Sequence, residues 1–343
     1  MNEKNIHLIP TFKTKFLMRT ILFILASFLF IEMGSNAHRP VNPNASKEAI
    51  KLLKYLYRVK GDQILSGQHN YPGTLSASTH EAFEITGKYP LIWGQDFGFT
   101  ANGQDGIIHR EAIIQEAIKQ HQNGHIITLM WHAVRPIDDE PNGWKESVQN
   151  DLTDEEWQEL VTPGTFLFKR WLKQLDIIAG YLKILRDKKI PVLWRPYHEM
   201  NGKWFWWGDK KGEKGYQALW RNMYDYFVNH HELNNLIWVW NANALVNPNI
   251  SDYYHYFPGP DVVDILATDF YGGKYDVINY TKLSGLAAEK PIAIGECGDL
   301  PTPVILDQQP GWSWFMCWAN YLKRNKKEAI LDLYNDPRVI TRK

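Results

Sequence analysis

Eight short apolar runs, each giving way to polar residues and most followed by a helical stretch, restrict this chain to very few folds. Ile64-Leu65-Ser66-Gly67 leads into Gln68-His69-Asn70, Pro90–Gly94 into Gln95-Asp96-Phe97, His125–Met130 into Trp131-His132, and Pro191–Trp194 into Arg195-Pro196-Tyr197-His198-Glu199. Leu236–Trp240 leads into Asn241-Ala242-Asn243, Val262–Thr268 into Asp269-Phe270-Tyr271, Pro291–Gly295 into Glu296-Cys297-Gly298, and Trp312–Cys317 into Trp318-Ala319-Asn320. Strands covered by helices on both faces read as continuous apolar runs, because neither face meets water. Between the runs, over Ile113–Gln122, Phe166–Asp187 and Tyr216–Asn229, apolar residues recur at three- and four-residue steps, the spacing of one helix face. Eight strand–helix units in about 300 residues predict an α/β fold of one domain, a (β/α)8 TIM barrel. The rival is a doubly wound open sheet, which carries a glycine-rich phosphate turn after its first strand. Ser66-Gly67-Gln68-His69 is not such a turn.

The N-terminus stands apart from this pattern. Lys13, Lys15 and Arg19 precede the apolar run Ile21–Ile31, and Ser35-Asn36-Ala37 follows with small residues at a cleavage spacing. This is the three-part layout of a secretory signal, so residues 1–37 are expected to be a signal peptide and residues 38–343 the barrel. The apolar run is too short to span a bilayer comfortably; an uncleaved anchor is the alternative. Met18 is an alternative start, since Met18–Ala37 alone makes a compact signal. The expected location is extracellular or periplasmic, with no stable membrane span after cleavage. With 38 basic and 38 acidic residues among 343, the balanced charge supplies no electrostatic reason to bind nucleic acid or an anionic membrane surface. Cys297 and Cys317 are the only cysteines. They form either one bridge between adjacent strands or two buried thiols, and they are no disulfide framework.

Chemistry concentrates in Trp194–Gly208, where Glu199 sits among His198, Asn201, Trp204, Phe205, Trp206 and Trp207. A carboxyl group among aromatic rings loses solvation, so its pKa rises and it stays protonated near neutrality. Aromatic faces also suit the apolar C–H faces of sugar rings. The combination points to the general acid of a glycosidase. A buried glutamate paired with Arg195 in an aromatic core is the bland alternative. Against it, the polar residues begin where a buried strand ends, which is where barrels carry their active sites.

Glycosidases need a second carboxyl group, and Glu296 supplies the best candidate. It ends the seventh run as Glu199 ends the fourth, and those two ends face each other across the mouth of an eight-stranded barrel. Tyr271 is placed to donate a hydrogen bond to Glu296. Asp269 and Asn241 are candidates to set polar neighbours or to bind sugar hydroxyls, and His132 and His198 for hydroxyls or for orienting a carboxylate. Trp204 and Trp318 are candidates to stack on the reacting sugar, with Trp131, Trp144 and Trp207 weaker ones. No metal or other cofactor is expected, because the helical zinc pattern needs a second His four residues after His198 and Gly202 stands there. His230 and His231 read as helix-end surface residues. Ala133–Pro163 is the largest insertion and walls the cleft; its Asp138-Asp139-Glu140 lacks a calcium-loop pattern and reads as a solvated loop.

Arg195-Pro196-Tyr197-His198-Glu199-Met200-Asn201-Gly202-Lys203-Trp204-Phe205-Trp206-Trp207-Gly208 resembles the acid/base signature of glycoside hydrolase family 26. Ile294-Gly295-Glu296 resembles its nucleophile strand, and Asp269-Phe270-Tyr271 sits where the family carries a Tyr in contact with the nucleophile. The resemblance runs from about Ser46 to the C-terminus. It implies a retaining (β/α)8 barrel of clan A, with Glu199 as acid/base and Glu296 as nucleophile. His198, Trp204 and Tyr271 map onto residues lining the catalytic subsite, as do His132 and Trp318 less closely. Most of the family are endo-acting β-1,4-mannanases, so the implied partner is a β-mannan-type polysaccharide cleaved by a monomer. Some relatives act on mixed-linkage β-glucan or β-1,3-xylan, and a non-catalytic glycan-binding barrel is the rival of another class.

Overall fold

Eight parallel strands close on themselves in this computed structural model, which describes residues 38–101, 105–246 and 250–342. The segment read as a secretory signal, 1–37, lies outside the described residues. The barrel strands are β1 (Ile64–His69), β2 (Ile92–Asp96), β3 (Ile126–Trp131), β4 (Val192–Pro196), β5 (Leu236–Asn243), β6 (Ile265–Phe270), β7 (Ile292–Cys297) and β8 (Trp312–Cys317). Each pairs in parallel with the next, and β1 pairs with both β2 and β8, which closes the ring. All eight expected strands are present, but most extend past the apolar run. Gln68-His69, Gln95-Asp96, Arg195-Pro196 and Asn241–Asn243 continue the ladder, because the hydrogen-bonding partner strands run on beside them. Val262–Asp264 lies ahead of β6, which starts at Ile265.

Strand alternation sorts the side chains into two cores. Leu193, Ile237, Val239, Ile265, Ala267, Ala293, Trp314 and Met316 fill the lower barrel. Helix α1 (Lys47–Val59) caps that interior with Ala49, Leu52, Leu53, Leu56 and Val59, at three- and four-residue steps. The intervening residues, among them Trp194, Trp238, Trp240, Ile292 and Phe315, point outward into the larger core beneath the outer helices. The 22-residue helix Phe166–Asp187 matches its expected span and buries Trp171, Leu175, Ile178 and Leu182. The expected helix Tyr216–Asn229 instead ends its α-helical part at Asp225 and finishes in a wider π-helical turn, Tyr226–His230.

Two short strands among the described residues, Tyr89–Pro90 and Val339–Arg342, were not foreseen. Val339–Arg342 pairs with the lower part of β1 at Ile64 and Leu65, and with Tyr89-Pro90 on its other edge. It is wedged where β1 and β2 diverge. Ser66 ties the wedge in place: its hydroxyl donates to the Ile340 carbonyl at 2.8 Å and accepts from Leu91 N–H at 3.2 Å.

Candidate active site

Continuing the same alternation upward changes the chemistry. Inward positions that hold Leu193, Val239, Ala267 and Ala293 below hold Arg195, Asn241, Asp269 and Gly295 above. Strict alternation after Ala293 and Gly295 would turn Glu296 outward. A bulge prevents this: Thr268 pairs with Ile294 but Asp269 pairs with Glu296, so Gly295 is the extra residue and Glu296 rejoins the interior. Only glycine fits there, since a Cβ on Gly295 would lie 1.6 Å from Asn241 Oδ1.

Glu296 is 3% exposed, and both its oxygens are held. Arg195 Nη2 donates to Oε1 at 2.7 Å, and Tyr271 OH donates to Oε2 at 2.6 Å. His198 Nε2 lies 3.5 Å from Oε1. Burial works against the charge on Arg195, but Glu296 and Asp269 outweigh it and raise its pKa. Burial and the neighbouring carboxylates push the Tyr271 phenol well up, so it keeps the proton it donates. Burial, the His132 ring and the Arg195 charge drive the His198 pKa well down.

Glu199 lies three residues past β4 in a sharp turn where both Tyr197 (φ 47°) and Glu199 (φ 55°) adopt left-handed backbone, a conformation costly for non-glycine residues. The turn is held by Glu199 N–H donating to the Asn241 carbonyl at 2.8 Å and by Trp207 Nε1 donating to the His198 carbonyl at 2.7 Å. Burial and the charge of Glu296 raise the Glu199 pKa to about 8. Trp204 Nε1 donates to Glu199 Oε2 at 2.7 Å and partly offsets that rise. The indole reaches the carboxylate by folding back over Gly202, where a Cβ would stand 2.1 Å from the ring.

These groups open into a cleft of ≈ 650 Å³. Glu199, Glu296, His132, His198, Trp204, Tyr271 and Trp318 all line it. Asp269 does not. It is fully buried beneath the floor, with Arg195 Nη1 at 3.8 Å, so its expected contact with sugar is replaced by contacts below the cleft. Its strand-end position was legible, but not the depth at which an inward residue of β6 sits. Burial and the Glu296 charge push the Asp269 pKa well up. Asn241 is likewise fully buried. Trp131 and Trp207 are core, whereas Trp144 lines the cleft. Arg195 was read only as a possible ion-pair partner of Glu199, and it binds Glu296 instead. Asp96, His69, Phe99 and Phe205 also line the cleft without having been singled out; polar or aromatic residues at or just past strand ends were the available signal.

Elsewhere, the acidic triplet of the long insertion is not simply solvated. Asp138 pairs with Arg135, Asp139 with Arg170 and Glu140 with Arg110. Cys297 and Cys317 are neighbours across β7 and β8 and are buried free thiols. His231 is buried rather than on the surface, with Nδ1 2.8 Å from Lys183 Nζ and Nε2 2.9 Å from Asp176 Oδ1. Asp176, His230 and His231 do bring donor atoms within 4.8 Å of one another, but both ring nitrogens of His231 are already engaged.

A family model described as "Glycosyl hydrolase family 26" matches residues 41–343. The chain belongs to this family. A mannan endo-1,4-β-mannosidase of Thermothelomyces thermophilus is 33% identical over 88% of this chain and 62% of its own length. One from Bacillus subtilis strain 168 is 28% identical over 95% of this chain and 94% of its own. The chain spans between 45% and 62% of the first three curated relatives it matches. Among solved structures, GH26A from Muricauda sp. MAR_2010_75 is 47% identical, with a TM-score of 0.84 over 88% of this chain and 98% of that one. A β-mannanase from a symbiotic protist of the termite Reticulitermes speratus, complexed with gluco-manno-oligosaccharide, is 31% identical with a TM-score of 0.76, over 89% and 96% of the two chains. The family 26 fold is thus the closed barrel described above.

Proposed function

We propose that this chain is a secreted endo-β-1,4-mannanase that cleaves with retention. One observation carries the proposal: two buried carboxyl groups share a cleft, Glu199, whose pKa is raised to about 8 by burial and by Glu296, and Glu296, whose two oxygens are fixed by Arg195 and Tyr271. The mannanases among its relatives favour mannan as substrate.

In the first step a Glu296 oxygen attacks the anomeric carbon while Glu199 gives its proton to the departing glycosidic oxygen. The bond to the leaving sugar breaks as the glycosyl–Glu296 ester forms. In the second step the Glu199 carboxylate takes a proton from water, whose oxygen attacks the same carbon and releases Glu296. Two inversions return the original configuration. Trp204 aims Glu199, and Trp318, Trp144, Phe99 and Phe205 offer ring faces and edges to the polysaccharide. The precursor is cleaved after Ala37 and exported, and the mature enzyme works as a monomer. Among the described residues no helix is long and apolar enough to cross a membrane.

The test is reducing-sugar release by residues 38–343 on glucomannan, galactomannan, mixed-linkage β-glucan and β-1,3-xylan, with Glu296→Ala as control. Activity on both mannans, with at least a ~10⁴-fold loss in the variant, is the expected result. Activity confined to glucan or xylan overturns the substrate, and an active Glu296→Ala overturns the nucleophile. Proton NMR of the first product anomer distinguishes retention from inversion. The N-terminal sequence and sedimentation mass of the exported protein check cleavage and oligomeric state.

A further inference from the structure

We propose that Asp96 is a positioning residue that holds the proton of His132 on Nδ1 and thereby presents Nε2 to the cleft as an acceptor for a sugar hydroxyl. The proposal rests on the reading of this cleft as a β-glycan site. Asp96 is the last residue of β2 and His132 the first after β3. Both are almost fully buried, and both line the cleft with Glu199 and Glu296.

The two oxygens of Asp96 are used differently. Oδ1 accepts two backbone donors, His132 N–H at 3.0 Å and Gly98 N–H at 2.9 Å. Oδ2 stands 2.7 Å from His132 Nδ1. Burial alone would raise the Asp96 pKa, but its contacts with His132 outweigh that and lower it to about 2. An ionised carboxylate only accepts, so Nδ1 must carry the hydrogen. With the hydrogen on Nδ1 engaged by Asp96, Nε2 is the remaining ring nitrogen, and in the Nδ1–H tautomer it carries the lone pair. The ring cannot readily turn over, because Trp144, His198 and Phe205 surround it at centroid distances of 5.1, 4.5 and 5.3 Å. An Nε2 acceptor selects a donor, and the hydroxyls of a sugar are the donors a glycan brings into this cleft.

Asp96→Asn tests the inference with little change of shape. The two backbone N–H groups pin the side-chain carbonyl at the Oδ1 position, so the new amide nitrogen must take the place of Oδ2. It donates to Nδ1, drives the proton to Nε2 and turns the acceptor into a donor. The first readout is the ¹⁵N NMR signature of the His132 ring in the full barrel, identified by its absence in His132→Gln. Nδ1–H in the wild type and Nε2–H in Asp96→Asn are expected. The second is kinetics on whichever β-glycan the wild type cleaves. A KM rise of about tenfold is expected, with a smaller change in kcat. The double variant Asp96→Asn/His132→Gln should lose no more than His132→Gln alone. Nε2–H in the wild type, an unchanged tautomer in Asp96→Asn, wild-type KM, or additive losses would each overturn the proposal. Because the tautomer is read on the free protein, failure of the mannan assignment would leave this result intact.

Discussion

Gly295 does more for the site than its lack of a side chain suggests. It is the bulged residue that turns Glu296 inward, and its Cα faces Asn241 Oδ1 and Asp269 Oδ1. Gly295→Ala should therefore cost about 3 kcal/mol of stability as well as activity, measured by denaturant unfolding and kcat/KM. A variant as stable and active as the wild type would refute the role assigned to the bulge. Trp204 acts on the other carboxyl. Its N–H stabilises ionised Glu199, and without it the pKa of Glu199 rises above about 8. The protonated acid then persists to higher pH, so Trp204→Phe should lower kcat/KM yet move the basic limb of its pH profile upward. A basic limb shifted downward would contradict the hydrogen bond.

Strand β1 illustrates how an element can serve two neighbours. Its upper half pairs with β2, its lower half with Val339–Arg342, and Ser66 sits at the divide. Ser66→Ala leaves Leu91 N–H and the Ile340 carbonyl without that partner, at a cost of about 1–2 kcal/mol. Since the wedge lies at the end of the barrel away from the cleft, hydrogen exchange at Leu91 should quicken while kcat holds. Unchanged exchange would mean that the strand is held by its ladder alone. The turn after β4 works in the opposite sense: two left-handed residues, Tyr197 and Glu199, are kept in a costly conformation by neighbouring strands and indoles. Strain of this kind persists only where the surroundings over-determine it.

Across the whole molecule, the site draws on the stability of the barrel that holds it. Glu199 has a folded-state pKa of about 8, above its value in an unfolded chain. Its contribution to stability is fully present below the unfolded pKa and is lost as pH rises towards 8. Glu199→Gln removes that titration. The variant should gain stability relative to the wild type as pH is raised from 5 to about 8, read from urea unfolding at each pH. A constant difference would show that Glu199 titrates alike in both states. The trade is the usual one for a site that keeps a buried ionisable group the fold would be more stable without.

Much of this was legible because it depends on short-range pattern. Eight buried runs, most of them separated by helical stretches, leave few architectures in which every strand is covered. The pairing of Glu199 with Glu296 followed from their places at the ends of the fourth and seventh runs. What the pattern could not carry was register and depth. A one-residue bulge reverses which way a side chain points, so the inward turn of Glu296 depends on β6 beside β7. Asp269 beneath the floor, Arg195 on Glu296 and Asp96 on His132 are contacts between strands. They exist only once the ring closes and brings residues far apart in the chain within hydrogen-bonding distance.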